Sequence, residues 1–220
     1  MPWTGLRVGY LSAVPQSPIN IHSIHAVNSP GLPALRVHYP STLDLSLRYE
    51  GSGRTVLAPI PAGAAWVMLG AVRYDLVNFH FHTFSEHRLD GRQFPLEQHF
   101  VHSGPGGEAL VIGLFLTPGG KGGTVQDQVL GVVPEESGPE VYVPQAALAT
   151  SLPDDLSTFR YEGSLTTPPY GEPVSWLILR SHLSIQAASL HNLRLRFPAG
   201  DSRMMQPLNG RTVCYRDQSS

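Results

Sequence analysis

Cysteine is almost absent from this chain, since Cys214 is the only one among its 220 residues. A single cysteine excludes an intrachain disulfide and any metal site built from several thiolates. Charged residues are also few, at 15% of the chain, and the 15 basic and 17 acidic side chains form no long run of one sign. This balance argues against nucleic acid and against a charged membrane surface as partners.

Long apolar runs are missing as well. The longest, such as residues 109–116, are far shorter than the roughly 20 residues that a membrane-spanning helix needs. The first residues show no basic segment followed by an apolar stretch, so no secretory signal is visible. Without a leader or a disulfide a cytoplasmic protein is favoured, and a periplasmic or secreted one is expected if a leader has been removed.

The length fits a single domain spanning residues 1–220, because domains usually contain roughly 100–200 residues and sheet-rich ones often more. No internal repeat and no change of composition marks a linker. The 22 glycines and 20 prolines predict many turns. The sequence leaves the oligomeric state open, and a homodimer is compatible with it.

Alternation of apolar and polar residues is the dominant pattern. It covers residues 43–49, 77–83 and 96–102, which we interpret as half-buried strands. Continuous apolar runs at 109–116 and 174–179 predict strands that are buried on both faces, near the centre of a sheet.

Helical patterns are thin. They predict short turns at 144–149 and 154–158 and one longer stretch at 184–193. The glycine-rich segment 119–124 resembles a phosphate-binding loop, but Lys121 is followed by glycine and we expect no helix after it. We therefore interpret this segment as a surface loop and predict a mostly β (α+β) fold with helices as accessories.

Ten histidines are present, and four of them lie between positions 80 and 99. On a strand His80 and His82 share one face, while Phe79 and Phe81 point into the opposite, apolar layer. His99 lies in a second alternating segment, so pairing of the two strands would bring three imidazoles together. Three imidazoles without a thiolate or carboxylate suit Zn²⁺ and leave a fourth tetrahedral position for water, as in a catalytic site.

Each ligating imidazole needs a partner on its other ring nitrogen. Asn78 and Glu97 each lie two residues from a histidine on the same strand face and are candidates for these hydrogen-bond partners. The alternative is a set of ordinary half-buried strand histidines, but the matching strand parity and these outer partners favour a metal site. His87 and His102 have no comparable neighbours, and we expect them to be structural or surface residues.

A second motif, residues 163–169, combines two threonines with two prolines that stiffen the loop. A rigid loop can hold a hydroxyl group still. Such a hydroxyl can accept a hydrogen bond from a metal-bound hydroxide only if its own proton is donated elsewhere, and Glu86 is a candidate acceptor. If this loop occurred without the histidine motif, we would interpret it as a surface turn.

From about residue 16 to residue 211 the sequence resembles the α-class carbonic anhydrases. Four separated blocks carry the resemblance in the right order: residues 16–21, 79–102, 163–169 and 206–211. The resemblance implies a large twisted, mainly antiparallel central sheet with short peripheral helices. It also implies an enzyme, a zinc-dependent lyase that reversibly hydrates carbon dioxide to bicarbonate and a proton by attack of zinc-bound hydroxide.

The resemblance also implies the roles of individual residues. It makes His80, His82 and His99 the zinc ligands, Thr166 the residue that orients the hydroxide, and Glu86 the acceptor of the threonine proton. The small-molecule substrate would contact residues that are apolar or carry a hydroxyl, namely Thr166, Thr167, Val101, Val111, Leu165, Val174 and Trp176.

The chain departs from the family pattern at several positions. Arg54 stands where many members have a histidine that relays protons, Tyr170 stands where a cysteine is frequent, and the segment before Gln16 is short. One rival interpretation is therefore a catalytically weak carbonic-anhydrase-like binding protein, although such a protein would be expected to lose a zinc histidine or the Thr166–Glu86 pair. Another is an unrelated three-histidine metalloprotein in a β-barrel.

Arg54 predicts slow proton export, because arginine stays protonated in proteins and cannot relay a proton by titrating. Turnover should therefore rise strongly as a small imidazole buffer is added. The measurement is carbon dioxide hydration at constant pH, with a non-titrating salt at the same ionic strength as the control. Fast turnover that is indifferent to buffer concentration would contradict the prediction.

Overall fold

A computed structural model of the chain describes residues 14–51 and 55–219. Strands dominate and helices are few and short, which confirms the mostly β fold class. The strands are β1 (Asn20–Ile21), β2 (Val27–Asn28), β3 (Leu35–His38), β4 (Leu43–Glu50), β5 (Thr55–Pro59), β6 (Trp66–Leu69), β7 (Val72–His82), β8 (Arg88–Leu89), β9 (Arg92–Gln93), β10 (Leu96–Ser103), β11 (Ala109–Pro118), β12 (Val141–Ala146), β13 (Thr158–Gly163), β14 (Val174–Leu179), β15 (Leu183–Ile185) and β16 (Cys214–Arg216). The helices are α1 (Val125–Leu130) and α2 (Ala187–Arg196), with single 3₁₀ turns at Ser23–His25 and Leu148–Thr150.

Two sequence predictions fall on residues that the structure does not describe. The first is the role of Arg54. The second is the prediction that the N-terminal segment contains no secretory signal, because only the part from residue 14 onward is described. Within the described ranges, no helix combines the length and the apolar character that crossing a membrane requires.

One large twisted sheet forms the body of the fold. Its strands run in the order β12-β4-β5-β7-β10-β11-β14-β13-β16-β2, with β6, β3 and β15 attached at its sides. Most neighbouring strands are antiparallel, but β11 is parallel to β14 and β15, and β16 is parallel to β2. The expected mainly antiparallel sheet is thus present, with a parallel step at the buried strands β11 and β14.

The two faces of the sheet carry separate apolar clusters. One cluster contains Phe79, Phe81 and Phe100 together with residues from both helices. The other contains Val111 and Trp176. Because side chains alternate along a strand, His80 and His82 point away from the phenylalanines, so both helices pack on the face opposite the histidines.

The expectation of no helix after the glycine-rich loop 119–124 was wrong. Helix α1 begins there, and the side chain of Thr124 accepts a hydrogen bond from the backbone N–H of Asp127. This is an N-cap, and a threonine followed three residues later by an acidic residue is its sequence signal.

The two predicted helical turns were also misplaced. Residues 144–146 complete strand β12, where Ala146 pairs with Leu43, and only Leu148–Thr150 form a helical turn. Residues 154–157 are irregular, because the carboxylate of Asp155 accepts the backbone N–H of Ser157 at 2.9 Å. Such local side-chain bonds compete with helix formation.

His102 is a buried residue with a structural role. This confirms the first of the two expectations for it, a structural or a surface residue. Its Nε2 lies 2.8 Å from the hydroxyl of Tyr39, whose ring stacks on the imidazole. Burial lowers the pKa of His102 to about 4. An unfolded chain therefore takes up a proton at this residue at a higher pH than the folded chain does.

His102 should make the protein sensitive to mild acid. Its contribution to stability is complete above about pH 6.5 and is lost as the pH falls towards 4, in total about 3 kcal/mol. We expect His102→Gln, which keeps a partner for Tyr39 but does not titrate, to lose less free energy of unfolding between pH 7 and 4 than the parent does. Denaturant titrations at several pH values measure this.

The matched control is His191→Gln, because His191 is exposed on α2. It should leave the pH dependence of the parent unchanged. An identical pH dependence for the parent and His102→Gln would contradict the prediction.

Candidate metal centre

Strand register brings the three predicted ligands to one place. In the antiparallel pair of β7 and β10, His99 lies opposite His80 and Glu97 lies opposite His82. The three imidazole ring centroids are 4.8 to 5.2 Å apart. One nitrogen from each ring lies within 4.8 Å of the others, so the predicted convergence of three imidazoles is present.

The outer partners of two histidines lie where the strand spacing placed them. Nδ1 of His80 is 3.1 Å from Oδ1 of Asn78, and Nε2 of His99 is 2.9 Å from Oε1 of Glu97. These contacts occupy one nitrogen of each ring. They leave Nε2 of His80 and Nδ1 of His99 for a metal ion.

Glu97 is held by more groups than the sequence indicated. Its Oε1 also contacts Nδ1 of His87 at 2.7 Å, and its Oε2 accepts the backbone N–H groups of Glu86 and His87. Burial alone would raise the pKa of Glu97, but His87 and His99 hold it well below the usual range. A charged Glu97 therefore fixes His99 and the chain at residues 86–87 together.

His87 begins a buried chain of hydrogen bonds that ends at the 163–169 loop. Its Nε2 lies 2.6 Å from the hydroxyl of Tyr161, which lies 2.8 Å from Oγ of Ser17. Ser17 in turn exchanges two hydrogen bonds with Ser164. His87 is thus structural and completely buried, and the surface alternative for it is excluded.

The chain packs closely where this network meets the loop. A Cβ atom at Gly163 would lie 2.1 Å from Oγ of Ser17 and 2.9 Å from the ring of Tyr161. Only glycine allows this approach. Sequence reasoning missed Ser17 and Tyr161 because their contacts join residues 144 positions apart.

His82 has a different environment. Its Nδ1 lies 3.6 Å from Oδ2 of Asp201, and its Nε2 lies 3.6 Å from Oε2 of Glu86. Oε2 of Glu86 is also 3.8 Å from Nδ1 of His99. Among the residues that the structure describes, both nitrogens of His82 and both of these carboxylate oxygens are buried without a hydrogen-bond partner.

These unpaired atoms test whether the residues fit a metal ion. Buried polar atoms are normally paired, and Nε2 of His82 faces the same region as the free nitrogens of His80 and His99. A divalent cation would pair all three nitrogens. A donor set of three imidazoles without thiolate suits zinc, so the residues present fit the ion that the sequence predicted.

Burial and neighbouring charge set the protonation of the imidazoles. Burial, reinforced by His82 and His99, holds the pKa of His80 well below its usual range, and burial likewise lowers the pKa of His99. Burial also disfavours the charged form of His82, but the carboxylates of Glu86 and Asp201 outweigh it and raise the pKa to about 9. A bound ion must therefore displace a proton from His82.

A second cluster, His87, Glu97 and His99, also has the composition of a metal site. Its members already satisfy one another, since Oε1 of Glu97 contacts both rings at 2.7 and 2.9 Å. This cluster supports the first one and offers no separate ion site.

A cavity of about 270 Å³ opens beside His82. Glu86, Thr166 and Thr167 line it, together with Asp201. Oε1 of Glu86 accepts the backbone N–H of Arg203 at 2.8 Å, whereas Oε2 has no hydrogen-bond partner within the described part of the chain. Thr166 and Glu86 thus share one cavity, and the hydrogen bond between them stays a prediction.

The predicted apolar residues lie beside the histidines, further along the neighbouring strands of the sheet. Val101 is two residues from His99 on β10, roughly 7 Å along the strand, and it lies opposite Val111, which is beside Trp176 on β14. Five residues that pack in one cluster form what we call the apolar wall: Val101, Val111, Leu165, Val174 and Trp176. The indole of Trp176 contacts His99 edge to face and donates to the carbonyl of Ser164.

Comparisons with known proteins agree with this geometry. A family model described as eukaryotic-type carbonic anhydrase matches residues 3–217. A carbonic anhydrase of Neisseria gonorrhoeae is 35% identical over 90% of this chain and 76% of its own length, and one of Nostoc sp. is 32% identical over 90% and 74%. The solved structure of the alpha-carbonic anhydrase from Thermovibrio ammonificans, in complex with the inhibitor sulfanilamide, has a TM-score of 0.82 and 33% identity, covering 91% of this chain and 86% of that one.

Similarity over nearly the whole chain overturns the interpretation as an unrelated three-histidine protein. The resemblance inferred from four sequence blocks is confirmed by the family match and by the similarity of the fold. The chain therefore belongs to the eukaryotic-type, or alpha, carbonic anhydrase family.

Proposed function

We propose that the chain catalyses the zinc-dependent reversible hydration of carbon dioxide to bicarbonate and a proton, with zinc bound by His80, His82 and His99. Family membership supports carbon dioxide hydration in general. The observation that carries the zinc assignment is the meeting of three imidazoles, each with one nitrogen within 4.8 Å of the others. When bound, zinc supplies a Lewis acid that lowers the pKa of a coordinated water.

The first task of the protein is to hold the ligands still. Asn78 and Glu97 fix the ring orientation of His80 and His99 through the nitrogens that the ion does not use. Hydrogen-bond partners of this kind set both the tautomer of a metal-binding histidine and the affinity of the site for its ion. The network behind Glu97 makes that orientation part of the buried core.

The second task is to orient the attacking oxygen. We assign this to Thr166, whose Oγ1 would donate its proton to Oε2 of Glu86. A hydroxyl that has given its proton away can only accept, so the lone pair of Thr166 would fix the O–H of the nucleophile. The backbone N–H of Arg203 holds the other oxygen of Glu86 at 2.8 Å, which supports a fixed position for this carboxylate.

The third task is to receive an uncharged gas. Carbon dioxide carries no net charge, so the apolar wall beside the histidines suits its approach better than strong hydrogen-bond donors would. An apolar surface also keeps ordered water away from the reacting atoms. Thr167, which lines the cavity, would contact the polar product bicarbonate as it forms.

The rival interpretation as a carbonic-anhydrase-like binding protein has no specific observation in its favour. A protein that had lost activity would be expected to lose a ligand or the pair formed by Thr166 and Glu86. The three histidines and both members of the pair are present. The change at Arg54 bears on the rate of proton export and leaves the ligand set intact.

Metal removal is the direct test of the proposed function. Dialysis against a strong chelator should abolish carbon dioxide hydration, because no nucleophile is available at neutral pH without the ion. Addition of one equivalent of zinc should restore it. The measurements are stopped-flow hydration rates and metal content by plasma emission spectrometry. Full activity in metal-free protein, or a zinc-loaded protein without activity, would contradict the proposal.

Thr166→Val should separate orientation from metal binding. The variant keeps the shape of the side chain but cannot accept a hydrogen bond, so kcat/KM for hydration should fall on the order of 10²-fold while the zinc content stays at one per chain. Thr117→Val is the matched control, because the Thr117 hydroxyl contacts Leu183 and Ser184. Equal activities of Thr166→Val and the control would refute the role of Thr166.

A further inference from the structure

Arg203 contacts both sides of the cavity that Glu86 and Thr166 share. Its backbone N–H donates to Oε1 of Glu86 at 2.8 Å, and its guanidinium Nη1 donates to the carbonyl of Ser17 at 2.6 Å. The guanidinium carbon lies over the ring of Tyr170, 3.6 Å from the ring centroid. Arg203 is thus bonded to the proposed proton acceptor through its backbone, and through its side chain it contacts the residue that follows the 163–169 loop.

Tyr170 is tied to that loop by backbone hydrogen bonds. Its N–H donates to the carbonyl of Thr167 at 2.9 Å, and the N–H of Leu165 donates to the carbonyl of Gly171 at 2.8 Å. Thr166 therefore lies inside a stretch of chain that is closed by Leu165 and Gly171. A shift of Tyr170 moves the backbone that carries the Thr166 hydroxyl.

The backbone of Tyr170 has a conformation that residues other than glycine rarely adopt. Its φ is +61°, in the left-handed region where a Cβ atom crowds the neighbouring backbone. A residue is held in such a conformation by its surroundings. The ring of Tyr170 is half-buried against Arg203 at the edge of the cavity, so the stack helps to hold this conformation.

No disulfide can hold this loop, because Cys214 is the only cysteine of the chain. The non-covalent contacts at Tyr170 include the stack on Arg203 and a hydrogen bond of 3.4 Å from Nε2 of Gln16 to the carbonyl of Tyr170. The same Nε2 also donates to Oε1 of Glu172 at 2.7 Å. Of these contacts, the stack joins the loop to the residue that holds Glu86.

We propose that Tyr170 is a positioning residue for Thr166, its ring held on the guanidinium of Arg203 so that the loop and Glu86 keep a fixed separation. The proposal rests on the proposed function, in which Thr166 donates its proton to Glu86. A cation is attracted to the negative face of an aromatic ring, and the attraction is stronger where water is partly excluded. Tyr170 and Arg203 are both half-buried.

Tyr170→Leu removes the ring face and keeps an apolar side chain. Leucine and phenylalanine have the same backbone cost at a φ of +61°, since neither is branched at Cβ. We expect kcat/KM for carbon dioxide hydration, measured per bound zinc, to fall roughly five- to tenfold in Tyr170→Leu. Tyr170→Phe keeps the stack and should restore the parental value.

A double variant distinguishes positioning from a general loss of stability. If Tyr170 acts through Thr166, adding Tyr170→Leu to Thr166→Val should lower kcat/KM no further than Thr166→Val alone. A mere loss of folding stability would leave the activity per bound zinc of Tyr170→Leu at the parental value.

Tyr142→Leu is the matched control for loss of a tyrosine ring. Tyr142 is 62% exposed on strand β12, and its hydroxyl donates to Oδ2 of Asp44. This variant should keep the parental kcat/KM and the parental zinc content.

Parental kcat/KM in Tyr170→Leu, an equal loss in Tyr170→Phe, or losses that multiply in the double variant would each overturn the inference. A parent without zinc or without activity, or a fully active Thr166→Val, would instead overturn the proposed function, so the two failures are distinguishable. Should Tyr170→Leu fail to fold, Tyr170→Asn takes its place, because asparagine tolerates a positive φ and also lacks the ring. The same five- to tenfold loss is expected from it.

Discussion

The register between β7 and β10 is the constraint on which the site depends. Pairing His80 with His99 places three imidazoles on one face, and a slip of one residue would turn His99 away from the other two. The opposite face enforces the register, because Phe79, Phe81 and Phe100 are completely buried there. Exposing each phenylalanine would cost roughly 1.5–3 kcal/mol, so the core that stabilises the sheet also aligns the ligands.

Polar groups behind the histidines turn this alignment into a fixed geometry. A buried carboxylate such as Glu97 is costly unless it is paired, and two imidazoles and two backbone N–H groups pair it fully. Arg203 joins Glu86 and Ser17 across more than a hundred residues of sequence. The site is therefore ordered by contacts that join segments far apart in the sequence, since Arg203 links Ser17 to Glu86.

The local parts of the site could be predicted from sequence, and the distant ones could not. Strand alternation is a period-two property, so His80, His82 and their spacing from Asn78 are visible in a short window, as is the pair Glu97 and His99. Asp201 reaches Thr83 across 118 residues, and no local pattern encodes that contact. The fold class followed from the same alternation, whereas helix α1 was missed because its single-turn capping signal lies within a glycine-rich loop.

We propose that one zinc ion is held by imidazole nitrogens from two paired strands. The most direct measurement is an anomalous difference map collected at the zinc absorption edge from crystals of the zinc-loaded protein. We expect a single strong peak bonded to Nε2 of His80, Nε2 of His82 and Nδ1 of His99, with a solvent atom in the fourth position. A peak elsewhere in the molecule, or an ion that leaves one of these three rings unbound, would contradict it.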